Sequence, residues 1–282
     1  LFQFVLSALF HHIPLPVQSN LRRQTMNTAI ITGAAQGVGL CIAEALAQRN
    51  YRIVLSDIDT EKGPAAASKL NLTHGEGTAA FFHCDLSNLR EIDALLSFTI
   101  ETMGGFSVLI NNAGYLRAPF LALSAQDIQD MITVNLTAPI YATQQAIKYW
   151  DGLHQGQAGC VVSVTSSSSF KTYASIAPYG AAKAGAAMFT FAAGAFHPRV
   201  RVNAVAPTAI ATGFDKNRMR VETDRTGPGY TPEEEMRAMG LKRLQPQEVA
   251  EAVVRCVEDK GLYGKVLYLD AVEGIKIHDG YT

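Results

Sequence analysis

The chain lacks the features of a charge-driven binder. Its formal net charge is −1 and only 17% of its residues are charged, so nucleic acid or an anionic membrane finds no basic face to dock on. The four cysteines, Cys41, Cys84, Cys160 and Cys256, form no CxxC pair. That argues against a zinc site or a dithiol redox motif, and for core thiols in a reducing compartment. The seven histidines show one close pair, His11-His12, and no HExxH or HxxxH spacing, so no metal is expected. Acidic residues are missing altogether from 1–25, "LFQFVLSALFHHIPLPVQSNLRRQT", which starts on Leu and carries Arg22 and Arg23 just before Met26. Its apolar opening run is shorter than the ~20 residues that span a bilayer, so membrane insertion is not expected. We read 1–25 as an N-terminal extension outside the fold, upstream of a start at Met26, with an organelle transit peptide or a cleaved signal as alternatives. A cytoplasmic location follows, import through 1–25 being the other possibility.

From Thr28 onward a regular alternation appears. Short, nearly all-apolar runs read as strands: "TAIIT" (28–32), "RIVLS" (52–56), "AAFFH" (79–83), "SVLIN" (107–111), "CVVSVT" (160–165), "VRVNAV" (200–205) and "KVLYL" (265–269). Continuous apolar strands are those covered on both faces. Helical patterns fall near 38–50, 60–71, 88–103, 124–151, 179–196 and 247–259. The alternation predicts an α/β fold, a parallel sheet with helices on both sides. No repeat or long linker divides it, so 26–282 reads as one domain. Only the segment from Gly213 to Leu244, with "RTGPGYTPEEE", breaks the rhythm. It reads either as an insertion near a ligand or as a surface loop.

"TGAAQGVG" (32–39) follows the first strand and opens the first helix. Gly33, Gly37 and Gly39 are spaced GxxxGxG rather than GxGxxG, yet a turn without side chains at a helix N-terminus suits a pyrophosphate in the same way. Asp57 follows the second strand, where a carboxylate can accept hydrogen bonds from an adenosine ribose and would repel a 2′-phosphate. NAD is therefore favoured over NADP. The alternative for Asp57 is a strand-end acid that caps the next helix.

"YGAAK" places Tyr179 and Lys183 one helical turn apart on one face. Either the ring packs in the core while the ammonium stays in water, or the cation lowers the phenol's pKa toward working pH.

Taken in order, "TGAAQGVG", "CDL" (84–86), "NNAG" (111–114), Asn135 in "VNL", Ser166, "YGAAK" and "VRVNAVAP" ending at Pro207 resemble the short-chain dehydrogenase/reductase family over essentially all of 26–282. The resemblance implies a single-domain Rossmann fold with a doubly wound, mostly parallel, seven-stranded sheet. It makes Tyr179 the general acid/base, Lys183 its pKa-lowering neighbour and a ribose ligand, Ser166 the hydrogen-bonding group for the substrate oxygen, and Asn135 the holder of a relay water. For the cofactor it implies Gly33, Gln36, Gly37, Val38 and Gly39 in the glycine turn, and Asp57 and Ile58 at the second strand end. Asp85 and Leu86 would meet the adenine, and Asn112, Ala113 and Gly114 its ribose side. Pro207, Ile210 and Thr212 would lie at the nicotinamide. Ser167 is the alternative to Ser166, and Asn135 could instead brace a helix. Thr208 stands where the family usually has Gly, and "GIKIHD" in the tail is similar to 15-hydroxyprostaglandin dehydrogenase-like members.

The activity implied is interconversion of a secondary alcohol and its ketone with NAD. The rivals are an NADPH-dependent ketoreductase of the oxoacyl type and a non-catalytic nucleotide-binding regulator. An apolar substrate is expected from Phe120, Phe170, Tyr173, Ile176 and Phe214, with Arg117 and Lys171 as the few nearby cations. A homodimer or homotetramer is expected from the small-residue helix at 179–196.

Overall fold

The first strand, β1 (Thr28–Thr32), sends Ala29 and Ile31 to one side of a sheet and Ile30 to the other, all of them buried. This two-sided burial explains why the strands are apolar throughout. The computed structural model describes residues 27–152, 158–211, 219–220 (backbone alone) and 242–281. After β1 come α1 (Gly37–Ala47), β2 (Arg52–Asp57), α2 (Lys62–His74), β3 (Ala79–His83), α3 (Leu89–Met103), β4 (Val108–Asn111) and β5 (Arg117–Ala118). The second half holds α4 (Ala125–Ile132), α5 (Ala138–Gly152), β6 (Gly159–Val164), α6 (Ala177–Ala193), β7 (Val200–Pro207), β8 (Met219–Arg220), α7 (Pro246–Glu258), β9 (Val266–Asp270) and β10 (Gly274–His278).

The main sheet has the order β10-β9-β7-β6-β4-β1-β2-β3, and every neighbouring pair except β10–β9 is parallel. Helices α1, α2 and α7 pack on one face through Ile42, Leu46, Leu70 and Val253. Helices α3 and α5 cover the other through Ile92, Leu95 and Trp150, with α6 beside them over β7 and β9. A buried guanidinium ends α7: Arg201 donates to the carbonyls of Cys256, Val257, Asp259 and Leu262. The Cys256 and Val257 carbonyls belong to the last turn of α7, the helix's negative end, where a cation is stabilising, and those of Asp259 and Leu262 lie in the chain that follows.

The α/β class and the mostly parallel sheet agree with the sequence reading, but among the described residues the sheet has eight strands rather than seven. The extra one is β10, folded back on β9 through a turn in which Asp270 Oδ1 accepts from the backbone of Val272 and Glu273. Its apolar residues Ile275 and Ile277 are about half exposed, so no buried face marks the strand in the sequence. The single helix expected over 124–151 is divided by a wider π turn at Thr133–Thr137.

Candidate active site

Chain order reverses between β1 and β4, and their C-terminal ends open a crevice of the kind that binds ligands in open α/β sheets. Thr32 ties the two sides together, its Oγ1 accepting from the backbone N–H of both Asn112 and Ala113. Asn112 answers by donating its amide to the carbonyls of Thr32 and Gly33. A Cβ on Gly39 would lie 2.1 Å from the Gly33 carbonyl oxygen, and one on Gly33 would lie 2.8 Å from the Ala113 Cα. Gly33 also sits at φ 66°, a conformation that favours glycine. Helix α1 therefore begins hard against the crevice. Among the described residues no side chain caps it, and its first turn holds no acid, which leaves its N–H groups available to an anion.

The crevice widens into a cleft of about 800 Å³. Of the predicted cofactor contacts, Gly33, Gln36, Gly37, Val38, Gly39, Asp57, Ile58, Asp85, Leu86, Asn112, Ala113, Gly114, Pro207 and Ile210 all border it. Thr212 and Phe214 lie outside the described residues, as do 1–26. Asp57 accepts from Ala35 N at 3.0 Å and Asp59 N at 3.1 Å, so it braces the glycine turn as well as facing the cleft. Lys62, the nearest following cation, is committed to Asp59 at 2.9 Å.

At the other end of the cleft stand Ser166, Tyr179 and Lys183. The α6 spacing brings the Lys183 Nζ to 5.7 Å from the Tyr179 ring centroid, and both residues are buried. Nζ donates to the Val164 carbonyl at 3.0 Å, and burial lowers the pKa of the amine to about 8. The first of the two sequence readings, with the ammonium in water, is therefore excluded. Tyr115, a second phenol on the cleft wall, is pushed up to about 12 by burial and by the Asp130 carboxylate. Ser166 Oγ accepts from Ser168 N at 3.1 Å, so its own hydrogen is left to donate outward. Ser167 borders the same cleft.

Asn135 does not line the cleft. Within the π turn its amide donates to Tyr115 O at 2.8 Å and Met131 O at 2.9 Å, which sets the amide's orientation. Its Oδ1 is buried with no hydrogen-bond partner among the described residues. A Cβ on Gly114 would lie 2.5 Å from that oxygen and 3.3 Å from the Lys183 Nζ, so both atoms border the backbone of Gly114. Thr208 continues β7 by donating its N–H to Leu269 O, and its Oγ1 is buried with no partner among the described residues.

The end of the cleft expected to take substrate differs in part from expectation. Phe170 turns away to stack on His278 with centroids 4.6 Å apart, Lys171 sits over the Tyr268 ring, and Phe120 is exposed on a short 3₁₀ turn. Tyr173, Ile176 and Arg117, also named for that end, do border the cleft, with Arg117 paired to Asp127, and Tyr115, Leu116 and Val134 complete its walls. Sequence reading missed Asp130 and Val134, which reach the cleft only because of how α4 and its π turn cross it. Ile210 pairs with Leu244, so the chain leaves and re-enters this region side by side, and β8 pairs with β5 beside the cleft wall.

The family described as short chain dehydrogenase matches residues 27–223. The chain belongs to that family. Momilactone A synthase of Oryza sativa subsp. japonica is 26% identical over 252 residues, 88% of this chain and 89% of its own. The 15-hydroxyprostaglandin dehydrogenase, NAD(+), of Rattus norvegicus is 24% identical over 255 residues, 89% and 93% of the two chains. An actinorhodin polyketide ketoreductase solved with NADPH matches with TM-score 0.75 and 27% identity, over 86% of this chain and 95% of that one. As a short-chain dehydrogenase the protein is an oxidoreductase with a nicotinamide-binding fold. No described helix is long and apolar enough to cross a membrane.

Proposed function

We propose that residues 26–282 form an NAD-dependent oxidoreductase that interconverts a secondary alcohol and its ketone, with Tyr179 as general acid/base. The observation that carries this reading is the buried pair on α6, with the Lys183 ammonium 5.7 Å from the Tyr179 ring and Ser166 on the same cleft. The crevice fits a dinucleotide: the uncapped α1 N-terminus suits its pyrophosphate, Asp57 its adenosine ribose, and Lys183 its second ribose.

Hydride transfer to or from the carbinol carbon is the chemistry a bound nicotinamide would supply. The remaining chemistry is one proton at the substrate oxygen. In oxidation Tyr179 Oη takes that proton as a phenolate, which a cation beside it favours. Ser166 Oγ donates a hydrogen bond to the same oxygen and orients it. Asn135 Oδ1 accepts from the water through which Lys183 exchanges its proton with solvent.

Asp57 supports NAD over NADP, since a 2′-phosphate would meet its carboxylate while Lys62 is held by Asp59. The walls Leu116, Val134 and Ile176, with the rings of Tyr115 and Tyr173, suit a secondary alcohol of mainly hydrocarbon character, oxidised with NAD+.

The test is Tyr179→Phe, assayed with a panel of a lipophilic cyclic alcohol, a fatty hydroxy acid, a sugar and a short polar alcohol. NAD(H) affinity is expected to stay within a few-fold while turnover falls about 10²-fold or more. Turnover close to wild type would overturn the assignment. A wild type active only in NADPH-driven reduction would replace it with the ketoreductase reading.

A further inference from the structure

The serine turn that carries Ser166 is a short 3₁₀ segment, Ser167–Ser169, and three backbone bonds within it hold its shape: Ser169 N to Ser166 O, and Phe170 N and Lys171 N to Ser167 O. Such a turn has little rigidity of its own. Its spacing from α6 is set on one side by Ser169 Oγ, which donates to Lys183 O at 2.8 Å. The C-terminal tail holds it from outside. Tyr281 Oη lies 2.9 Å from Ala184 O and 3.3 Å from Ser169 O, so one hydroxyl reaches the backbone of both the catalytic helix and the serine turn.

The same tail packs rings against both elements. Phe170, next to the turn, stacks on His278 at 4.6 Å and meets Tyr281 at 5.5 Å. Phe191 of α6 meets the Tyr281 ring edge-on at 5.5 Å. Pairing of β10 with β9 fixes where this tail runs. Burial raises the pKa of Tyr281, which keeps its phenol a hydrogen-bond donor.

We propose that Tyr281 is a positioning residue: the tail straps the serine turn to α6 and so fixes the placement of Ser166 relative to Tyr179 and Lys183. Its catalytic consequence rests on the function proposed above, and its structural consequence does not. Lining the cleft is not part of this role, so the cofactor keeps its own contacts when the strap is cut.

Two measurements on the full chain test it. In the cofactor-free protein, Tyr281→Phe is expected to raise amide hydrogen exchange at Ser169, Phe170 and Lys171 at least about five-fold, leaving β1 and β4 unchanged. With substrate, the same variant is expected to lower kcat about 3-fold to 10-fold while the NADH dissociation constant stays within two-fold. Tyr281→Ala should lower kcat further. Unchanged exchange in the serine turn overturns the strap whatever the enzyme's substrate. A kcat within two-fold of wild type overturns its role in catalysis, as does a loss that tracks weakened NADH binding. If exchange rises in Tyr281→Phe but Tyr179→Phe turns over normally, the strap stands and the assignment of Tyr179 fails.

Discussion

Lys183 is an amine in a place that disfavours its charge. Its pKa falls from 10.5 to about 8 because burial removes water from the ammonium. Below pH 8 the folded and unfolded chains are both protonated, and the full cost of the buried charge is present. Between about pH 8 and 10.5 the unfolded chain binds more protons, so stability rises with pH, and above that range the cost is gone. Lys183→Met is therefore expected to stabilise the cofactor-free protein at pH 7 by up to about 3 kcal/mol. It should also flatten the rise toward pH 10 and abolish turnover. Denaturant unfolding at the two pH values checks this, and a variant that is less stable at pH 7 with an unchanged rise contradicts it. On the proposed reading, the Asp57 carboxylate would repel a 2′-phosphate. Replacing it with Ser and Ile58 with Arg should move the kcat/KM ratio toward NADP by at least about ten-fold, the equivalent of ~1.4 kcal/mol. It should also weaken NAD binding, because Ala35 N loses its acceptor.

At the scale of the element, α1 depends on a missing side chain. With a Gly39 Cβ only 2.1 Å from the Gly33 carbonyl oxygen, Gly39→Ala must displace backbone rather than a flexible side chain. The expected result is a loss of about 1–3 kcal/mol of stability, with NAD(H) affinity weakened more than ten-fold. Denaturant unfolding against wild type reads the first and calorimetric titration with NADH the second. The other elements differ in how clearly the sequence announces them. β3 was legible to the residue, because "AAFFH" is apolar and ends at a polar turn. The π turn at Thr133–Thr137 was not, because a widened turn keeps the helical pattern of apolar residues around it. It nevertheless decides where Asn135 points. β10 was also missed, being an edge strand held by backbone pairing with exposed side chains.

At the scale of the whole molecule, α6 raises the question of what covers its outer face. It buries Tyr179, Ala182, Lys183, Ala186, Ala187, Thr190 and Ala193, while Ala181, Met188 and Ala192 stay exposed along one stripe. Small residues around a half-exposed Met permit close approach of a second helix, and a closed two-fold pairing is the common solution. A homodimer or homotetramer is expected, measured by light scattering at micromolar concentration; a monomer there contradicts it.

The sequence by itself determined the alternation of strands and helices, the glycine turn that meets α1, and the pairing of Tyr179 with Lys183. Each of these depends on residues within a few positions of one another, where helical and strand periods leave their mark. The tertiary structure alone decided which side chains wall the cleft, that Phe170 packs under the tail instead of in the cleft, and that Tyr281 reaches Ser169 and Ala184. Those outcomes depend on contacts between segments far apart in the chain, 97 and 112 positions for the two Tyr281 contacts, and such contacts arise from how the layers pack against the sheet, for which no local period exists.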